Sequence, residues 1–464
     1  MKTLSLADAI LEENMDAVRE HLVRGVNVND IDEYGFTPLI EAAIADNIEI
    51  VKLLLSVGAH PGQVDSLGGT ALHWATENNN LEIARLLLQK GADPNSYNLS
   101  GQPVLVMPLL RQQQAMKKML LAHGADLSFA QDYINTKLLG HMFELVGTVN
   151  IVDPKNNFVE MDFEGFFLEV TLGMIADSLW QFQNHFAGRK LRRYMHFFQI
   201  VIDTISRAAQ LIKYQQYRVN IEKHKAEIQS FIREEPLIIP IGYEGHAITF
   251  IRFGNILVKC DRREDSRLFD NIMIYQMQRP ELMSESFIAR MIFEKQTDEF
   301  INEDLPRLLE LQPLTELKVH AQVSGNCSWA NVEACIPAVF FLLFSHLDDF
   351  SENILRYKNL ALSFFNEWRE WNKDRALQFC IKSFQQTDSI RKACKAEILV
   401  AILFQCCGGV SPIDAERAES ILHVLAAPEY EPLLQNYVQI YCYEDYSEEG
   451  QRFLKLLRDR GYKV

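Results

Sequence analysis

No cysteine precedes Cys260 among the eight in the chain, and none of the eight forms a C-x-x-C pair. This excludes a zinc ribbon, a thioredoxin-type dithiol and a disulfide-stapled N-terminal half. Scattered thiols in a long chain suit a reducing compartment. No His/Cys cluster has metal-ligand spacing, and no phosphate-cradling glycine loop or paired-carboxylate motif occurs, so no metal and no cofactor are expected. The segment Met1–Asp8 lacks the apolar stretch of a signal peptide. No uninterrupted apolar run reaches the roughly 18 residues of a membrane span. The longest, Ala334–Phe344, reads as a buried helix, and no membrane insertion is expected. Cations are also in deficit: 46 Lys and Arg stand against 62 Asp and Glu, for a net charge of −16. That balance argues against a chain-wide grip on DNA or an acidic membrane, and no direct nucleic-acid partner is expected. The local exception, Gly188-Arg189-Lys190-Leu191-Arg192-Arg193, reads as a solvated helix face.

What is present begins with a repeat. Gly25, Gly58, Gly91 and Gly124 are each 33 residues apart, and Leu22, Leu55, Leu88 and Leu121 keep the same step. So do Gly35, Gly68 and Gly101, and Leu39, Leu72 and Leu105. One helical pair cannot bury its apolar face alone, so such units stack, and each trailing glycine supplies the positive φ that ends a helix. With Thr37-Pro38-Leu39-Ile40-Glu41-Ala42-Ala43 and Thr70-Ala71-Leu72-His73-Trp74-Ala75, the period resembles the ankyrin repeat. The fourth unit departs from the pattern: Gln102-Pro103-Val104-Leu105 replaces the signature and Pro108 stands where Ala42 and Ala75 stand earlier. The resemblance implies a partner protein held by the finger tips and the concave helix face. Candidate contacts are Asp32 and Tyr34, Asp65, and Tyr97 and Asn98, with Trp74 either an anchor or core. It also makes Asn95, after Leu87 and Asp93, a candidate for asparagine hydroxylation, although Pro94 sits where an aliphatic residue is usual.

Beyond Lys137 the 33-residue step disappears, and the segment to Glu235 reads as mainly helical. An apolar run, Pro236 to Gly242, then introduces strands. His246–Phe253 and Ile256–Asp261 flank Gly254-Asn255, a two-residue hairpin loop, and another strand is expected over Asn271–Met277. In that register Phe253 faces Ile256 and Ile248 faces Asp261, so His246 lies diagonal to Asp261 on one face. A carboxylate there fixes the imidazole tautomer and favours its protonated form. Downstream, Cys327 opens an apolar helix, where unpaired N–H groups and the helix dipole favour thiolate. Gln322, five residues earlier, is placed to donate to an oxyanion.

In the order histidine, acid, glutamine, cysteine, these residues resemble the papain-like fold in the permuted arrangement of the adenovirus-protease and SUMO-protease clan. The resemblance covers about Pro236 to Phe344 and implies Cys327 as nucleophile, His246 as base, Asp261 as orienter and Gln322 as oxyanion donor. Three departures stand against it. The Gln-to-Cys step is one residue short, Asn326-Cys327-Ser328 replaces the clan's Asp-Cys-Gly, and the insertion between Asp261 and Gln322 is long. Other cysteines read as structural: Cys335 is buried two turns past Cys327, and Cys406-Cys407 lie at a helix end.

From Ser351 the pattern is helical again and carries no chemical motif, with an acidic run Glu444-Asp445-Tyr446-Ser447-Glu448-Glu449 near the end. The expected architecture is a multidomain α+β chain. It comprises an ankyrin solenoid over 1–133, a cysteine-protease-like α+β domain with a helical insertion over 134–350, and an all-helical cap over 351–464. As a whole it resembles the ankyrin-repeat effectors that Legionella translocates by type IV secretion. That implies a virulence role in the host cytosol or nucleus with a host protein as target. Three functions stay open: a binding module with a degenerate Cys-His-Asp triad, an active cysteine protease or acyl-transfer enzyme whose repeats choose the substrate, and a structural adaptor in which Cys327 is core. Accessibility of Cys327 separates the third from the others, and thiol reactivity separates the first two.

Overall fold

The computed structural model describes residues 5–33, 35–215, 221–243, 245–262, 272–320, 325–345, 353–408, 411–442 and 448–462. These form two compact units. The first comprises Met1–Leu138, Gly147–Asp162 and Cys380–Val464; the second comprises Leu139–Val146 and Phe163–Phe379.

The first unit opens with four helix pairs: α1 (Leu6–Leu11) with α2 (Met15–Val23), α3 (Pro38–Ile44) with α4 (Ile48–Ser56), α5 (Ala71–Glu77) with α6 (Leu81–Gln89), and α7 (Val106–Leu110) with α8 (Gln114–Ala122). The period extends into the caps. Asn14, Asn47 and Asn80 each accept the backbone N–H three residues on and start the second helix of a pair. Between the helices of each pair, Glu13, Asp46, Asn79 and Gln112 hold φ of 54–57°, the left-handed turn that reverses the chain. Gly25, Gly58, Gly91 and Gly124, at φ of 80–98°, close the pairs. In the fourth repeat the first helix is only five residues long. Pro103 replaces the threonine that N-caps α3, so no side-chain cap starts it.

Helix α9 (Leu127–Phe143) follows, and then a hairpin of β1 (Thr148–Val152) and β2 (Phe158–Asp162). This hairpin interrupts the segment expected to be mainly helical. Val149, Ile151, Val159 and Met161 alternate inward, and Asp153 closes the turn by accepting the N–H groups of Lys155 and Asn157, both at 2.8 Å. Lys137 on α9 reaches Asp162 at 3.2 Å. A Cβ on Gly101 would sit 2.7 Å from the Glu160 carbonyl, so the third finger packs directly on β2.

The second unit contains α10 (Leu168–Asn184), a 3₁₀ segment (Phe186–Tyr194), α11 (Met195–Ile212) and α12 (Lys225–Arg233). Next comes a five-stranded antiparallel meander with β3 (Leu237–Tyr243), β4 (His246–Phe253), β5 (Ile256–Cys260), β6 (Ile272–Met277) and β7 (Leu311–Leu317), in that spatial order. Helices α13 (Glu285–Phe293) and α14 (Leu305–Leu309) precede β7. After it come α15 (Cys327–Glu333) and α16 (Cys335–Ser345), then α17 (Ile354–Gln386), which leaves this unit at Phe379. Every residue of α16 is buried, and Phe340 and Phe344 join Phe182, Phe198 and Phe364 in an aromatic core. The stretch Cys327–Ser345 is apolar and long enough to cross a membrane, yet nearly all of it is buried inside the protein.

The helical C-terminal region, α18 (Ser389–Gly408), α19 (Pro412–Val424), α20 (Glu431–Tyr441) and α21 (Glu448–Asp459), belongs to the first unit. Helix α18 is tied to α9. Arg391 pairs with Asp126 at 3.2 Å and with Asp132 at 3.4 Å, and Lys395 also pairs with Asp132. These cations and carboxylates are largely buried, so their pairing is what makes their burial tolerable.

Candidate functional site

The β4–β5 pairing runs from Phe253↔Ile256 to Thr249↔Cys260. One further step places Ile248 opposite Asp261, with His246 two residues along on the same face. The imidazole Nε2 of His246 lies 3.1 Å from Asp261 Oδ1, and both side chains are about 15% exposed. Lys259 Nζ holds the other carboxylate oxygen at 3.3 Å. The Tyr243 ring stands edge-on to the imidazole, with centroids 5.6 Å apart.

Cys327 is the first residue of α15, after Asn326, and its side chain is partly exposed. Burial alone would raise its pKa. Hydrogen bonds from the His246 imidazole and the Ala247 N–H, the charge of His246 and the Ser328 N–H outweigh that effect, and the thiol is held below its ordinary value. Because Asp261 occupies Nε2, the other ring nitrogen, Nδ1, remains to face the thiol. Cys260, Cys380, Cys394, Cys407 and Cys442 shift the opposite way, each because burial disfavours thiolate. The structure therefore brings together Cys327, His246 and Asp261. Gln322 lies outside the described residues.

One residue of this site has no counterpart in the sequence reading. Asn331, fully buried one turn after Cys327, donates from Nδ2 to the Ala247 carbonyl at 2.6 Å and accepts the Arg262 N–H on Oδ1 at 2.8 Å. Ala247 follows His246, and Arg262 follows Asp261. A lone amide inside the apolar stretch Ala330-Asn331-Val332 was its signal. Arg262, itself 2% exposed, adds bonds to the His320 carbonyl at 2.7 Å and to Glu333 and Glu144 at 3.4 and 3.3 Å. The N-terminal end of α15 is approached closely by Gly165, whose N–H donates to the Gly325 carbonyl at 3.2 Å. A Cβ on Gly165 would lie 1.8 Å from Ser328 Oγ and 3.0 Å from its Cβ, so any side chain there would displace the Ser328 hydroxyl. Among the described residues no group of His, Cys, Asp and Glu is arranged to hold a metal ion.

The finger candidates divide differently. Asp32, Asp65 and Asn98 fall on the 33-residue step and spend their side chains inside the fingers. Asp32 accepts the Phe36 N–H at 2.8 Å; Asp65 accepts those of Leu67 and Gly69, and the Trp74 indole at 3.0 Å; Asn98 accepts those of Ser100 and Gln102. Trp74 is thus tied to its own finger. Tyr97 is 40% exposed and packs edge-on to Phe129. Tyr34 lies outside the described residues. Leu67 and Leu99, at 67% and 77% exposure, are the most open apolar side chains among the described finger residues, and Leu99 N–H bonds to the Leu67 carbonyl at 2.9 Å. Asn95 bridges repeats, donating to the Gly124 carbonyl at 2.9 Å and accepting the Asp126 N–H at 2.7 Å.

The ankyrin-repeat family model matches residues 6–98 and 59–131. No curated protein sequence matches the chain. Among solved structures, that of the Legionella effector AnkH aligns over 99% of this chain and 98% of its own, at 40% identity and a TM-score of 0.84. With ankyrin repeats at its N-terminus and this likeness along its whole length, the chain belongs to the AnkH family.

Proposed function

We propose that the chain is a bacterial effector, delivered into a host cell, that holds a host protein on its ankyrin fingers and presents it to a cysteine-protease-type triad of Cys327, His246 and Asp261. The observation that carries this reading is the hydrogen-bonded line from Asp261 through His246 to a thiol at a helix N-terminus whose pKa is lowered. That arrangement supports acyl transfer. The Cys327 thiolate attacks a carbonyl carbon and forms a C–S bond. The His246 imidazolium, steadied by Asp261, gives its proton to the departing amine as the C–N bond breaks. Water, deprotonated by His246, then cleaves the thioester and restores the thiol. The Ser328 and Cys327 backbone N–H groups at the start of α15 favour negative charge there, and Gln322 is the proposed side-chain donor to the oxyanion.

Recognition is assigned to the exposed apolar finger residues Leu67, Leu99 and Tyr97, with Tyr34 beside them in sequence, rather than to Asp32, Asp65 and Asn98. Asn95 remains the position proposed for hydroxylation by the host. The test is covalent capture. A peptide carrying a carbonyl-mimicking electrophile at its C-terminus is expected to label Cys327 in the full chain, as read by peptide mass mapping. Labelling that persists equally in His246→Ala would remove the catalytic reading and leave a binding module.

A further inference from the structure

The basic run after α10 changes meaning once its geometry is known. A 3₁₀ helix has three residues per turn, so residues three apart eclipse one another. Over Phe186–Tyr194 this sorts the side chains into three rows. Gly188 and Leu191 are buried, and Tyr194, on the same row, packs edge-on against Phe344 and Phe364. A Cβ on Gly188 would meet the Phe182 carbonyl at 2.5 Å, so glycine lets this row dock against the end of α10. The second row is Phe186, Arg189 and Arg192; the third carries Lys190 and Arg193. All four cations are exposed, and among the described residues none has a carboxylate within 4.0 Å.

Rings alternate with these cations. Arg189 lies 4.7 Å over the Phe186 ring, which is itself 73% exposed. Arg193 lies 4.7 Å over Tyr194. His185, the residue before the segment, accepts on Nδ1 from the Ala187 N–H and the Trp371 indole, both at 3.1 Å. Its proton is therefore on Nε2, free to donate outward. Arg375 lies 4.9 Å over Trp371, with Asp177 nearby. Trp180, near the end of α10, is half exposed.

We infer that this surface binds single-stranded nucleic acid, with phosphates on Arg189, Lys190, Arg192 and Arg193 and a base stacked on Phe186. Cations in two eclipsed rows track a phosphate backbone, and exposed rings beside them offer stacking platforms that any base can use. An acidic bilayer fits less well, because the segment's other apolar side chains face inward and leave no continuous apolar face to insert. The net charge of −16 does not cancel the patch, since at physiological salt fields fade over about 8 Å.

The experiment is fluorescence anisotropy of labelled oligo-U and oligo-dT, about a dozen nucleotides long, with the full chain across a salt series. With four phosphates neutralised, the slope of log K against log salt is expected near −2.8, which is roughly a 50-fold loss between 50 and 200 mM. Replacing the four cations with alanine should abolish binding, and replacing the three arginines with lysine should keep both binding and slope. Phe186→Ala should weaken binding roughly 5- to 150-fold at unchanged slope. If the fourfold variant misfolds by circular dichroism, Arg189→Ala with Arg192→Ala should halve the slope. Binding indifferent to these changes, no binding at low salt, or capture by phosphatidylserine vesicles without capture of either oligonucleotide would overturn the inference.

Discussion

The side-chain amide of Asn331 donates to the carbonyl of Ala247 at 2.6 Å, and its oxygen accepts the N–H of Arg262. One buried side chain thus fixes the residue after His246 and the residue after Asp261 to the helix that begins at Cys327. It pins the β4–β5 hairpin, whose own register the ladder sets, to a helix 69 to 84 residues further along the chain. Asn331→Ala should cost roughly 1–3 kcal/mol for each backbone group left buried without a partner. It should also raise the Cys327 pKa toward the ordinary thiol range as the imidazole drifts. Thermal unfolding checks the first outcome. The pH at which Cys327 is half-alkylated checks the second, which a purely structural loss would not move.

A second prediction concerns Glu41, on α3 and 3% exposed. Burial, followed by a hydrogen bond and charge from Asp32 and the charge of Asp8, pushes its pKa up to about 8. In the unfolded chain it titrates near 4.5. The folded state therefore binds the extra proton between those values, and stability falls as pH rises from about 4.5 through about 8. Hydrogen exchange of the α3 amides, corrected for intrinsic rate, should show opening grow more favourable over that window. Glu41→Gln should flatten the dependence and stabilise the repeats at pH 8.

The fingers yield a third. Leu67→Ser and Leu99→Ser remove exposed apolar surface and should weaken partner capture at least tenfold while leaving the melting temperature nearly unchanged, as exposed sites do. Asp65→Ala should behave in the opposite way. It strands the N–H groups of Leu67 and Gly69 and the Trp74 indole, and it should lower stability by roughly 1–3 kcal/mol. Equal losses of stability in both sets would contradict the division between tip and frame.

Much of this was legible because it is local. The 33-residue step fixed glycines, caps and leucines at once, and the two-residue Gly254-Asn255 loop left one register for His246 and Asp261. The same step also places Asp32, Asp65 and Asn98, each of which accepts backbone N–H groups of its own finger. The β1–β2 hairpin was signalled by the alternation in Thr148–Val152 but lay hidden between two helical stretches. Asn331 and the buried row of the 3₁₀ segment depend on which distant backbone lies alongside, and no spacing in one sequence states that.

The most direct test of the central claim is the rate of Cys327 alkylation against pH in the full chain and in His246→Ala. Rapid labelling is expected well below the ordinary thiol pKa of ~8.5, with the profile moving upward and the neutral-pH rate falling at least tenfold once the imidazole is gone. A profile centred on the ordinary thiol value and indifferent to His246 would contradict that claim.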